Sequence, residues 1–276
     1  MDPGASGKAV SRDAKNMVGN NIQSQCLKHS LSLEVQGKLF KITHKDAAAT
    51  WAKTTQSLPS AQMKFALNAA SDTLPHNANL SLCQKNSNLS AACKLCGERQ
   101  TLCHILNNCK VALDLRRYNN RHDQILRIIS NFIQKQVPDD VIVLTDLSDG
   151  DQYQFPPSLA LSDLGPDLVV YSNLTKSVTM VELTVCYETN FKGAQSRKER
   201  KYMELVEEIE QNGFVVNLIT VEVGSRGFVN QESFYRLNGT LGAPKKELLD
   251  LMLSVSEVAI KESFQIWIGR NTINTN

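Results

Sequence analysis

The stretch GPDLVVYSNLTKSVTMVELTV, residues 165–185, decides how the chain is read. Two β-branched runs, DLVVYS (167–172) and VTMVELTV (178–185), flank the turn NLTK, which predicts a strand, a turn and a second strand. Each strand carries one acid, Asp167 and Glu182, with 14 residues between them. Two short strands joined by a turn bring such acids close together, and paired carboxylates hold Mg²⁺ or Mn²⁺. The plainer alternative makes Asp167 a strand-starting acid after Pro166 and Glu182 a polar residue on an exposed face. That alternative suits Glu182 poorly. Val178 and Met180 line one face of its strand, Val181 and Leu183 the other, and an unpaired charge between apolar faces is costly.

In metal-dependent nucleases this pattern usually ends Glu-x-Lys, but here the third position is Thr184. The next helical segment offers a substitute. With about 100° per residue and Lys198 at zero, Phe191 falls near +20°, Ala194 near −40°, Leu205 near −20° and Ile209 near +20°. Lys198 is therefore centred on the stripe that should pack on the sheet, flanked by Tyr202 and Lys201. Either it snorkels to water from the first turns, or it reaches back to the carboxylates.

Outward from this centre, RYNNRHDQILRIISNFIQKQVP predicts an amphipathic helix, with Ile125, Ile128, Ile129, Phe132 and Ile133 at helical spacing and Pro138 after it. VIVLTDL (141–147) predicts a strand, 191–211 a long charged helix, and FVVNLITVEVG (214–224) a further strand before the glycine-rich loop GSRGF. The order over 119–224 is thus α-β-β-β-α-β. The segment from Pro244 predicts a closing helix. Upstream, 59–75 predicts a helix with Met63, Leu67 and Ala70 on one face, stopped at Pro75. LSLEVQGKLFKIT (31–43) predicts a weak strand pair about Gly37, and the polar residues 1–25 a poorly ordered arm.

Four of the seven cysteines fall in residues 93–109, CKLCGERQTLCHILNNC. Cys93 and Cys96 form a C-x2-C turn that points two thiolates at one ion, and His104 and Cys109 complete a tetrahedron of the kind structural zinc prefers. The alternative is a group of unrelated thiols in a small core. Cys103 adjoins His104 and should point away, though it could compete as a ligand; Cys83 is a weaker candidate. All four positions are filled by protein, so the site reads as closed and structural.

Net charge is +2, with the basic residues uneven: residues 1–64 hold nine Lys/Arg against four Asp/Glu, and 192–201 hold five against one. Basic patches suit a polyanion, although a solvated helix face is the commoner explanation. Arg116, Arg117, Arg121, His122, Arg197 and Arg200 are the candidate nucleic-acid contacts. RHD (121–123) opens the first long helix, where its side chains could meet phosphate or metal, or Asp123 could simply favour the helix N-terminus. No run of about 18 apolar residues suggests a membrane span, and 1–21 lacks a signal-peptide core. These features suggest a reducing, intracellular setting, nuclear or cytoplasmic, in which cysteines serve metal or stay free.

Taken together, NAASDTLP, CKLCGERQTLCHILNNC, RHDQIL, PDLVVYS, VELTVCYETN, KERKY and VGSRGF resemble, in order, the C-terminal part of a non-LTR retrotransposon reverse transcriptase polyprotein, over roughly residues 60–240. That part carries a CCHC zinc knuckle and a restriction-enzyme-like endonuclease. The resemblance implies a PD-(D/E)XK core, α/β in class, preceded by the knuckle and a helical linker. The corresponding domains are an arm and linker over 1–59, a linker and knuckle over 60–112, and an endonuclease over 113–276. It further implies that the lysine has moved to the helix in a Lys-x-x-Lys-Tyr context, here Lys198, Lys201 and Tyr202. Asp167 and Glu182 would then bind Mg²⁺ or Mn²⁺ and cut one DNA strand at a time, with element RNA a possible further partner. No Tyr-x-Asp-Asp motif is present, so reverse transcription is not expected. The rival readings are an inactive nucleic-acid-binding module and a retroelement fragment.

Overall fold

The computed structural model describes residues 3–34, 37–83, 89–148, 150 and 153–273. The chain divides into two compact units, Met1–Ile42 and Thr43–Asn276. The first holds helix α1 (Pro3–Ser32) and the short α2 (Lys38–Ile42). Both depart from expectation. The supposed arm is helical, with a proline in its first turn, where a missing N–H costs nothing. The supposed strand pair over 31–43 is helical at both ends, Val35 and Gln36 lying outside the described residues. The alternation of LSLEV suits a strand, but no strand pairs with it among the described residues.

The second unit opens with α3 (Lys45–Ser57), α4 (Ser60–Ala70) and α5 (Asn77–Cys83). Of the face expected on α4, only Ala70 is buried; Phe65, Ala66 and Ala69 are the other buried residues, and Leu67 is exposed. The reason is a large aromatic contact: Phe65 packs edge-on against Phe264 at 5.6 Å, which turns the helix toward its own side. The helix ends at Ser71, before Asp72 turns into the left-handed region (φ 52°), and does not wait for Pro75. A short π-helix (His104–Asn108) and α6 (Lys110–Asp114) lead into α7 (Arg117–Gln136).

The remaining strands and α-helices are β1 (Ile142–Thr145), β2 (Leu168–Ser172), β3 (Ser177–Cys186), α8 (Phe191–Gln211), β4 (Val215–Gly224), α9 (Gln231–Leu241) and α10 (Lys245–Ile268), with short 3-10 turns at Glu188–Asn190 and Gly269–Asn271. The unit is mixed α/β, with one four-stranded mixed sheet in the order β1-β2-β3-β4. The first three strands are antiparallel; β4 runs parallel to β3, as a helical crossover by α8 allows. The α-β-β-β-α-β order over this region is the one expected from sequence.

Strand alternation sends alternate residues to opposite faces. Leu168, Val170, Val181, Leu183, Ile219 and Val221 form one core with Ile125 and Ile129 of α7, Phe234 of α9 and Val255 of α10. On the other face Val169, Tyr171, Val178 and Met180 pack under Tyr202, Leu205 and Ile209 of α8. That second face is where the acids of β2 and β3 point.

Candidate active site and metal centre

The sheet register builds the acidic site. Leu168 pairs with Val181, so Asp167 stands directly across from Glu182. Thr145 pairs with Leu168, so Asp146 stands across from Asp167, with its N–H bonded to the Asp167 carbonyl at 2.9 Å. Glu182 in turn pairs with Thr220 of β4. A row of polar side chains therefore crosses the α8-facing side of the sheet. Asp146 escapes a linear reading because a long loop separates β1 from β2 and only their pairing reveals the juxtaposition.

The turn before Asp167 is pinned by two phenols. Tyr153 donates to the Pro166 carbonyl at 2.5 Å and Tyr202 to the Gly165 carbonyl at 3.1 Å. Asp167 Oδ2 accepts the Leu183 N–H at 2.7 Å and lies 3.5 Å from His122 Nε2. Burial alone would raise the Asp167 pKa, but His122 and Lys198 outweigh it and hold the carboxyl below its usual range. Glu182 is fully buried; burial and the neighbouring Asp167 push it up to about 7, against the pull of Lys198. Asp146 is pushed up by burial and by the charges of Asp167 and Asp123.

Lys198 donates from Nζ to Glu182 Oε2, and its side chain is 28% exposed. The helix arithmetic thus brings it to the carboxylates rather than out to water. Ala194, Tyr202, Leu205 and Ile209 are the buried residues of α8 and hold it in that rotation. Lys201 is exposed and donates to the Tyr202 hydroxyl at 2.7 Å rather than to an acid of the row. Burial and the adjacent Glu182 lift the Tyr202 phenol far above its usual range, so it stays protonated and acts as a donor.

Among the candidate nucleic-acid contacts, Arg116, Arg197 and Arg200 are exposed. Arg121 is a correction. It is 1% exposed and donates to Ser263 Oγ and to the Leu106 carbonyl, both at 2.9 Å, so it ties helices together and presents no surface. Arg117 donates to the carbonyls of Gly269 and Thr272, at 2.6 and 2.7 Å, just past the C-terminus of α10. His122 turns to Asp167 and Asp123.

The cysteine cluster forms a second centre. One ligand atom from each of Cys93, Cys96, His104 and Cys109 lies within 4.8 Å of the others. Cys96 Sγ stands 3.3 Å from His104 Nε2 and 3.8 Å from Cys109 Sγ. Zinc–sulfur bonds of about 2.3 Å in a tetrahedron give edges of roughly 3.8 Å, so the donor set fits such an ion. Two backbone devices shape it. Gly97 takes φ +80° and closes the C-x2-C turn, its N–H bonded to the Cys93 carbonyl at 2.9 Å. The π-turn then spaces His104 from Cys109 by five residues along one side. Cys103 stays outside, its sulfur accepting from Asn108 Nδ2 at 3.4 Å; Cys83 is exposed and also outside. Asn107 Nδ2 bonds the Val185 carbonyl at 3.2 Å, which docks the cluster on the end of the strand that carries Glu182.

A comparison of the chain with protein families and with curated proteins finds no match in either. No helix among the described residues is long and apolar enough to cross a membrane.

Proposed function

We propose that the chain is a zinc-stabilised, divalent-metal-dependent DNA endonuclease with a PD-(D/E)XK core, related to the endonuclease region of non-LTR retrotransposon polyproteins and lacking the polymerase. The observation that carries this reading is the contact of Lys198 with Glu182, directly across the sheet from Asp167. It supplies from the helix the amine that Thr184 cannot supply from the strand.

The donors suit a hard cation. Glu182 Oε1 is a buried acceptor without a hydrogen-bond partner among the described residues. Asp167 and Glu182 would hold Mg²⁺ or Mn²⁺, with Asp146 at the flank. Such an ion, when bound, polarises a phosphate oxygen and lowers the pKa of a water. Around it the protein's own groups divide the work. Lys198 sets a positive charge where charge develops on the phosphate or the attacking water. Tyr202 and Tyr153 hold the Gly165–Pro166 turn, and so the backbone of Asp167, in place. Exposed Arg197, on the flank of α8, gives the phosphodiester backbone a basic approach, whereas Arg200, about 200° round the helix from Lys198, faces away from the site. The Cys93, Cys96, His104 and Cys109 centre holds zinc as a structural ion.

Supercoiled plasmid with Mg²⁺ tests the reading. Wild-type protein is expected to produce nicked circles, and Asp167→Ala to produce none above background. Plasmid that is bound but never cut would instead favour a nucleic-acid-binding module. Cleavage that survives Asp167→Ala would remove the proposed mechanism.

A further inference from the structure

His122 and Asp123 do something other than contact nucleic acid or favour a helix end. Asp123 lies in the second turn of α7, beyond the exposed N–H groups of the helix terminus. Its carboxylate is used elsewhere. Oδ2 accepts from Ser148 N at 3.0 Å and from the Ser148 hydroxyl, and Oδ1 faces His122 Nδ1 at 3.1 Å. The opposite ring nitrogen, His122 Nε2, points at Asp167 Oδ2 at 3.5 Å. Ser148, Asp123, His122 and Asp167 therefore form one continuous chain of contacts, from the loop after β1 through α7 to the start of β2.

Its consequence is orientational. A carboxylate turns freely about its last torsion, in a broad two-fold well. Here Oδ2 is held from two directions, by the Leu183 N–H and by His122, which aims Oδ1 away from both. We propose that Ser148, Asp123 and His122 form a brace that fixes the Asp167 carboxylate for divalent-cation binding, His122 being a positioning residue that touches neither substrate nor cation. The proposal rests on the reading of Asp167 as a cation ligand. Outer partners of ligating groups typically change metal affinity by about 10–100-fold when removed. The Leu183 N–H remains when His122 is lost, so the low end of that range is expected.

Mn²⁺ binding to the zinc-loaded full chain, followed by electron paramagnetic resonance of the free ion, tests it without any cleavage readout. His122→Ala is expected to fold and to bind Mn²⁺ about tenfold more weakly than wild type. His122→Gln, whose amide reaches the position of Nε2, is expected to recover most of the loss, as a mere loss of packing would not allow. Should His122→Ala fail to fold, Ser148→Ala on the exposed loop is read in its place, with a weaker Mn²⁺ affinity expected in the same direction. Wild-type affinity in His122→Ala, or in Ser148→Ala where that stands in, while Asp167→Ala binds no Mn²⁺, would overturn the brace and leave the site reading standing. Wild-type protein that binds no Mn²⁺, or Asp167→Ala that binds as wild type, would overturn both.

Discussion

Glu182 and Glu222 are both fully buried acids on the same face of the sheet, yet their neighbours separate them. Glu182 faces Asp167 and receives the Lys198 amine. Glu222 pairs in register with Thr184 and accepts from the Asn230 amide at 2.7 Å on one oxygen. Its other oxygen has no partner among the described residues, and burial, above all, pushes its pKa up. A raised carboxyl pKa means that the folded state holds the proton more tightly than the unfolded chain. The stability it contributes is complete below the unfolded value and is lost as pH rises through the folded one. Glu222→Gln is therefore expected to raise the thermal midpoint at pH 7–8 and to leave it nearly unchanged near pH 4. Thermal melts across that range check this; an equal shift at both ends would contradict it. Lys198 was legible at this scale because helix rotation follows from sequence alone. Asp146 and the partner of His122 were not, since one depends on strand register and the other on a contact 45 residues away.

At the scale of elements, the cysteine–histidine cluster and the sheet are joined by named contacts. Asn107 reaches β3, and Arg121 spans from the π-helix carbonyl of Leu106 to Ser263 on α10. Burial lowers the Arg121 pKa to about 10, which leaves it charged at neutral pH. Arg121→Ala strands two buried partners and opens a cavity, so a loss of about 2–4 kcal/mol in chemical denaturation is expected. One zinc per chain by metal analysis, and a lowered thermal midpoint after its removal by a chelator, are the matching expectations for the cysteine centre. The elements themselves were largely readable. α7, α8, α10 and all four strands follow from periodicity and β-branched runs. α9 was missed, although Gly242 closes it in the left-handed conformation typical of a helix end.

For the molecule as a whole, the boundary at Ile42 differs from the one suggested by composition and resemblance, near residue 59. The difference lies in α3. Trp51 stacks on Phe228 with ring centroids 4.7 Å apart and donates Nε1 to the Arg226 carbonyl at 2.9 Å. Beneath them Arg226 makes a buried ion pair with Glu188 at 2.7 Å. None of this is visible before the fold brings together residues 175 positions apart. A chain starting at Thr43 keeps α3 and serves as the reference for the second unit. One starting at Ser60 loses Trp51 and is expected to be less stable than that reference by about 3–5 kcal/mol. Equal midpoints for the two truncations would show that α3 is dispensable.

The central claim is that α8 supplies the amine missing from β3. The most direct measurement is the initial rate of Mg²⁺-dependent plasmid nicking by Lys198→Ala, with Lys201→Ala as its neighbour control and thermal melts of both. Loss of about 10²–10³-fold in Lys198→Ala, with less than a few-fold change in Lys201→Ala and both variants melting cooperatively well above the assay temperature, is the expected result. Nicking by Lys198→Ala at the wild-type rate would contradict the account.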